Sequence, residues 1–365
     1  MNLPSLKIGD LIAKVPIVQG GMGVGISLSS LAGNVALNGG IGVISGVEIG
    51  FKEPDYYKNK MEANLRALKN YINEAKRISN GGIIGVNIMV AVNNFEDYVK
   101  EAVKAKADII FSGAGLPLAL PKFTIGSSTK VAPIVSSGRT AKVICKAWDK
   151  KFNIIPDAIV VEGPLAGGHL GYSKEVLLEG KTTLEDILEE VLEAIKPFQE
   201  KYKRKIPIIA GGGVYNGKQI ANLLQLGASA VQIGSLFVAT KECDASDAFK
   251  QSYVDCKKED IEIIISPVGM PGRAIHNQFL QDVKEGKKKP INCFANCLKP
   301  CVPSEAPYCI ANALINAEKG NFNSGYAFVG ANAYLIDRIS TVKEVMDRLC
   351  KETLENLNDK GAIGK

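Results

Sequence analysis

His169 is one of only two histidines in the 365-residue chain, and it stands inside "IVVEGPLAGGHLGYS", residues 159–173. The apolar run before it reads as a strand, which puts the imidazole in the loop just past the strand's end. With a pKa near neutrality an imidazole can take or give a proton under working conditions, and the surrounding glycines bring a ligand within its reach. The plain alternative is a histidine that caps a turn or hydrogen-bonds the backbone. A second set of reactive side chains lies in "NCFANCLKPCVPSEAPYCI": Cys293, Cys297, Cys301 and Cys309, spaced C-x3-C-x3-C-x7-C. Four soft thiolates this close suit zinc or an iron–sulfur cluster. The spacing matches neither the usual C-x2-C zinc pairs nor the common ferredoxin run, and Pro300 and Pro303 oppose a continuous helix that would align the first three. Reduced thiols that pack the segment are the alternative. Cys145, Cys243, Cys256 and Cys350 are scattered and read as structural.

Two glycine-rich turns complete the set. Gly211, Gly212 and Gly213 in "IPIIAGGGV", and Gly234 with Ser235 in "AVQIGSLF", directly follow apolar runs. Such turns, with a helix N-terminus beyond, present N–H groups and a positive dipole end to a phosphate. A mononucleotide cofactor fits. The dinucleotide fingerprint is absent, because the glycines lack its spacing.

Positioning these groups is the task of a regular scaffold. Short apolar runs recur at 15–19, 41–45, 83–89, 108–112, 132–137, 157–162, 206–211 and 229–234, separated by stretches of helical character. Alternation of this kind predicts parallel strands with helices over the sheet. The count and size predict an α/β fold, a (β/α)8 TIM barrel with an inserted lid or small subdomain after strand 8. A doubly wound open sheet is the competitor. In a barrel the C-terminal strand ends share one face, where ligands gather. The expected organisation is a barrel over 1–240, a lid with the cysteine cluster over 241–324, and a C-terminal part, 325–365, whose helix at 332–357 closes the barrel.

Composition narrows the partners. Net charge is +6, from 44 basic and 38 acidic residues, and aromatic residues make up 7%. The basic clusters are short and lie beside acidic stretches, so a nucleic-acid partner is not expected. The uncharged stretch 15–47 carries nine glycines, which disfavours a membrane span. The N-terminus lacks the pattern of a signal peptide, so a cytoplasmic protein with reduced thiols is expected.

"PIVQGGMG", "GVNIMV", "VVEGPLAGGHLG", "IPIIAGGG", "AVQIGSLF" and, further on, "GMPGRAIHNQF" resemble the nitronate monooxygenases (once called 2-nitropropane dioxygenases) and the related flavin-dependent enoyl-acyl-carrier-protein reductases. The resemblance implies a barrel that binds FMN, with its phosphate on Gly211 to Gly213 and Gly234–Ser235. It implies a flavin ring near Gly21, Met22, Asn87, Ser137, Glu162 and Gln232, with Gly167 and Gly168 allowing close approach. It also implies that His169 is the base that takes the α-proton of a nitroalkane. Leu165 departs from the pattern, since the family often has an acidic residue there. His276 falls in "RAIHNQF", read as helical, where a structural or solvent-facing role is expected. Three functions follow from this resemblance. The first is oxidation of nitronates or nitroalkanes with O2. The second is reduction of an enoyl thioester with NAD(P)H, for which "KKKP" at 287–290 offers a basic rim to an acyl carrier protein. The third is a non-catalytic flavin-binding sensor.

Overall fold

The structure is a computed structural model that describes residues 3–287, 291, 293–294 and 296–362. An N-terminal hairpin, β1 (Leu6–Ile8) and β2 (Leu11–Ala13), comes before the first apolar run. Strands β3 (Ile17–Gln19), β4 (Ile41–Ser45), β5 (Ile83–Asn87), β6 (Ile109–Ser112), β7 (Lys130–Val135) and β8 (Ile159–Glu162) follow. After the two-residue strand β9 (Gly168–His169) come β10 (Ile208–Gly211) and β11 (Ala230–Ile233). Eight of these close a barrel in the order β10-β11-β3-β4-β5-β6-β7-β8, with every neighbouring pair parallel. This is the (β/α)8 fold, and the open sheet is excluded by the pairing of β11 with β3.

Burial explains why the strands read as unbroken apolar runs. Val18, Val43, Phe111, Val160 and Ile209 fill the barrel interior, while Ile44, Ile84, Ile110, Val161 and Val231 face the helices. Both faces are covered, as parallel sheets require. The hairpin was not anticipated; its Leu6 and Ile8 pack into the interior cluster and plug the barrel at that end. Helix starts are set locally: Thr183 with Asp186 and Asn216 with Gln219 form reciprocal caps on helices Leu184–Tyr202 and Gly217–Gln225.

The chain beyond β11 folds back onto the mouth. Strands β12 (Ile261–Ile265) and β13 (Pro271–Ile275) form a hairpin, and β13 pairs antiparallel with β9. "RAIHNQF" is therefore not one helix: Arg273 to Ile275 belong to β13, His276 follows it, and the next helix starts at Gln278 because Asn277 caps it. The single helix expected at 332–357 is divided into a 3-10 turn, Ala333–Leu335, and the helix Val342–Ala362. The break lies where Thr341 and Glu344 hydrogen-bond each other's backbone N–H and start the second helix afresh. Among the described residues no helix is long and apolar enough to cross a membrane.

Candidate active site

The strand register brings the polar strand ends to one mouth. Ser45 lies beside Asn87, Glu162 beside Gly211, and Gly211 beside Gln232. Together with segments from beyond β11 they bound a cavity of about 310 Å³, within the range of small-molecule and cofactor sites. Gly21, Met22, Asn87, Glu162, Gly167, Gly168, His169, Gly211, Gly212, Gly213, Gln232, Gly234 and Ser235 all line it.

One side of the cavity is backbone. Gly212 and Gly213 have φ of 116° and 83°, a region closed to most side chains. Asn332 Nδ2 donates to the Gly213 carbonyl at 2.6 Å, and Gly330 N donates to Ser235 Oγ at 3.0 Å, so the segment after β13 braces both turns. Gly167 has a further reason to be glycine. A Cβ there would stand 2.7 Å from the backbone of Val329 and Gly330, so the glycine admits that segment.

The other side is built by side chains. His169 lies in β9, not in a free loop, opposite Gly272 of β13. Its Nε2 is 2.9 Å from Ser266 Oγ, which the β12–β13 turn supplies. The Phe328 ring lies against it with centroids 5.0 Å apart. Burial pushes the His169 imidazole down to about 4, so it is neutral at ordinary pH. Glu162 is pushed the opposite way, up to about 7, by burial, partly offset by the Gly171 backbone N–H. Arg273, held down to about 10 by burial, donates to the Ala166 carbonyl and fixes the turn leading to His169. Tyr172 O–H donates to the Glu162 carbonyl from the other flank.

A flavin needs apolar surface for its ring, backbone N–H groups for its phosphate and polar groups for its ring edge, and the residues that line this cavity are of these kinds. Asn87, Glu162 and Gln232 line the cavity as polar residues, while Met22, Met89 and Ile134 supply apolar wall. Ser137 departs from expectation. It is not among the cavity-lining residues; its hydroxyl accepts from Thr140 N and caps helix Gly138–Phe152. Leu165 lines the cavity, which makes the wall near Gly213 apolar. His276 faces outward and pairs with Glu262 at 2.9 Å.

Reading the sequence missed Ser266, Arg273, Phe328 and Asn332. Ser266 lies three residues before the quoted "GMPGRAIHNQF", so extending that segment would have reached it. Asn332 carries no local signal.

Residues 5–352 match the nitronate monooxygenase family. The chain is 25% identical to a probable nitronate monooxygenase of Staphylococcus saprophyticus, covering 98% of this chain and 100% of that one. It is 22% identical to a 5-hydroxy-7a-methyl-1-oxo-octahydro-1H-indene-4-carboxyl-CoA dehydrogenase of Rhodococcus jostii, over 95% of each. Among solved structures it is similar to FabK from Thermotoga maritima, with a TM-score of 0.74, 27% identity and 96% of each chain covered. A barrel whose glycine turns and histidine-bearing strand face one cavity, and a match over nearly the full length, lead to one conclusion: this chain belongs to the nitronate monooxygenase family.

Proposed function

We propose that this protein is an FMN-dependent oxidoreductase that oxidises alkyl nitronates, and nitroalkanes after His169 removes their α-proton, with O2 as the final acceptor. The observation that carries this reading is a neutral imidazole, held by Ser266, in the wall of the same cavity as the glycine turns. Bound flavin supplies the two-electron acceptor that no side chain here provides. Gly211 to Gly213 and Gly234–Ser235 would hold its phosphate, and Asn87, Glu162 and Gln232, with Gly21 and Met22, would hold its ring. A neutral imidazole has a nitrogen free to accept the proton. The nitronate formed beside it is an anion, which in turn favours the imidazolium. Ser266 keeps the ring from turning away. Eight free thiols support a cytoplasmic setting.

A second reading, reduction of an enoyl thioester by NAD(P)H, is favoured by the likeness to FabK and to a carboxyl-CoA dehydrogenase over almost the whole chain. The basic rim expected to meet an acyl carrier protein rests on 287–290, of which 288–290 lie outside the described residues. One experiment separates the two. The purified yellow protein is mixed without air with NADH, NADPH or an alkyl nitronate, and flavin bleaching is followed by absorbance. Rapid bleaching by the nitronate alone is expected. Bleaching by a nicotinamide and not by nitronate selects the thioester reductase, and protein that takes up no FMN on reconstitution removes both.

A further inference from the structure

The cysteine segment has no place in the flavin chemistry, yet the fold gathers it. Cys293, Cys297, Cys301 and Cys309 all line one small cavity of about 20 Å³. The other lining groups are mainly apolar, among them Leu298, Pro303 and Ile310. By contrast Cys145, Cys243 and Cys256 are buried in the body of the protein, and none of them lines this cavity.

We propose that Cys293, Cys297, Cys301 and Cys309 form a four-thiolate metal centre that staples this segment to the wall of the flavin cavity. A void of this size holds one atom-sized body, so a single zinc(II) ion is the expected occupant. Two features of the fold support the assignment. The chain from Lys287 to Tyr308 contains no helix or extended strand among its described residues, and so long an irregular stretch in a compact domain calls for a fastening. Among the described residues its pairing to the barrel is a single bridge, Val92 with Leu298, flanked by Asn93 N to the Cys297 carbonyl and Lys299 N to the Ala91 carbonyl, each 2.9 Å. The second feature is position. Cys297, Leu298 and Ile310 line both cavities. A run of aromatic contacts, His169 to Phe328 to Tyr326 to Tyr308, with centroids 5.0, 5.1 and 5.8 Å apart, joins the imidazole to the thiol cavity.

Among the described residues no three His, Cys, Asp or Glu side chains are already set to hold a metal ion. Loading therefore turns the thiols inward about their side-chain bonds. When a divalent cation binds, four S–H bonds are lost, four metal–sulfur bonds form, and the protons pass to solvent with no change of oxidation state.

The test is elemental analysis of full-length protein purified without air, followed by cobalt(II) titration of chelator-treated protein. About one zinc per chain is expected, with intense thiolate-to-cobalt absorption and tetrahedral visible bands. Cys293 is exposed, so Cys293→Ser leaves packing untouched and should weaken cobalt binding by tenfold or more. Cys350→Ser, outside the cluster, should bind as the wild type does. Iron with inorganic sulfide would overturn the single-ion assignment and put a cluster on the same thiols. Absence of stoichiometric metal together with no thiolate–cobalt absorption would overturn the site itself. None of these readouts depends on flavin or turnover, so the proposed oxidoreductase activity stands or falls separately.

Discussion

On the side of the mouth formed by Gly211–Gly213 and Gly234–Ser235, the cavity is bounded by backbone at the ends of β10 and β11. On the side of His169 it is bounded by side chains, and those arrive from three separate stretches: β9, the β12–β13 turn with Ser266, and the segment with Phe328. The first side is shaped by what is missing, since a glycine turn owes its form to the absence of Cβ. The second is shaped by docking, since His169 is held by a partner 97 positions away. Under the proposed function the difference divides the work: the backbone cradle would hold a constant group such as a phosphate, and the side-chain wall would meet the variable substrate, with burial tuning its proton affinity.

Substitutions on the two sides should therefore fail in different ways. The largest effect is expected from His169→Ala, which should lower steady-state turnover of neutral nitroalkanes by ~10² to 10⁴, the usual range for a positioned base. Preformed nitronates should suffer far less, and flavin content should stay at the wild-type level. An equal loss on both substrates would break the assignment of proton transfer to this side. Gly212→Val should act on the other property. Its φ of 116° is strained for any side chain, and a Cβ would stand 2.9 Å from the Gly163 carbonyl oxygen. Strain of about 1 to 3 kcal/mol should weaken FMN binding by about tenfold to a hundredfold in a fluorescence titration. Wild-type FMN affinity in this variant would show that the cradle is not where the cofactor is held.

The smallest effect is a pH dependence. Glu162 has its pKa raised from 4.5 to about 7, so the native protein keeps a proton that the unfolded chain releases. Its contribution to stability is complete below pH 4.5 and is lost as pH rises through 7. His169, lowered from 6.5 to about 4, works with the opposite sign: its contribution is present above pH 6.5 and lost as pH falls through 4. Glu162→Gln should remove a severalfold inflection of KM near pH 7 and flatten the stability slope measured by urea unfolding between pH 6.5 and 7. An unchanged inflection would assign it to another group.

Much of the barrel was legible because its signals are local. Parallel strands buried on both faces are short apolar runs, and turns with positive φ favour glycine, so the eight strands and the turn at Gly212–Gly213 are legible in the residues themselves. Ser137 illustrates the limit. A serine just after a strand serves equally to face a ligand or to cap the next helix, and only the path of helix Gly138–Phe152 decides that it caps. The apolar spacing places the start of the final helix at 332, too early, because it continues across Ile336, while Thr341 and Glu344 start the helix at Val342.

The residues alone determined the alternation of strand and helix, the face where strand ends collect, and the turns suited to an anion, all consequences of period, burial and backbone freedom within a few positions. Tertiary structure alone decided that Ser266 and Phe328 meet His169, that Gly167 yields to Val329 and Gly330, and that four cysteines line one small cavity. Those contacts depend on how the chain beyond β11 folds back over the mouth. No spacing along the sequence encodes that docking, because it rests on shape complementarity between segments distant in the chain.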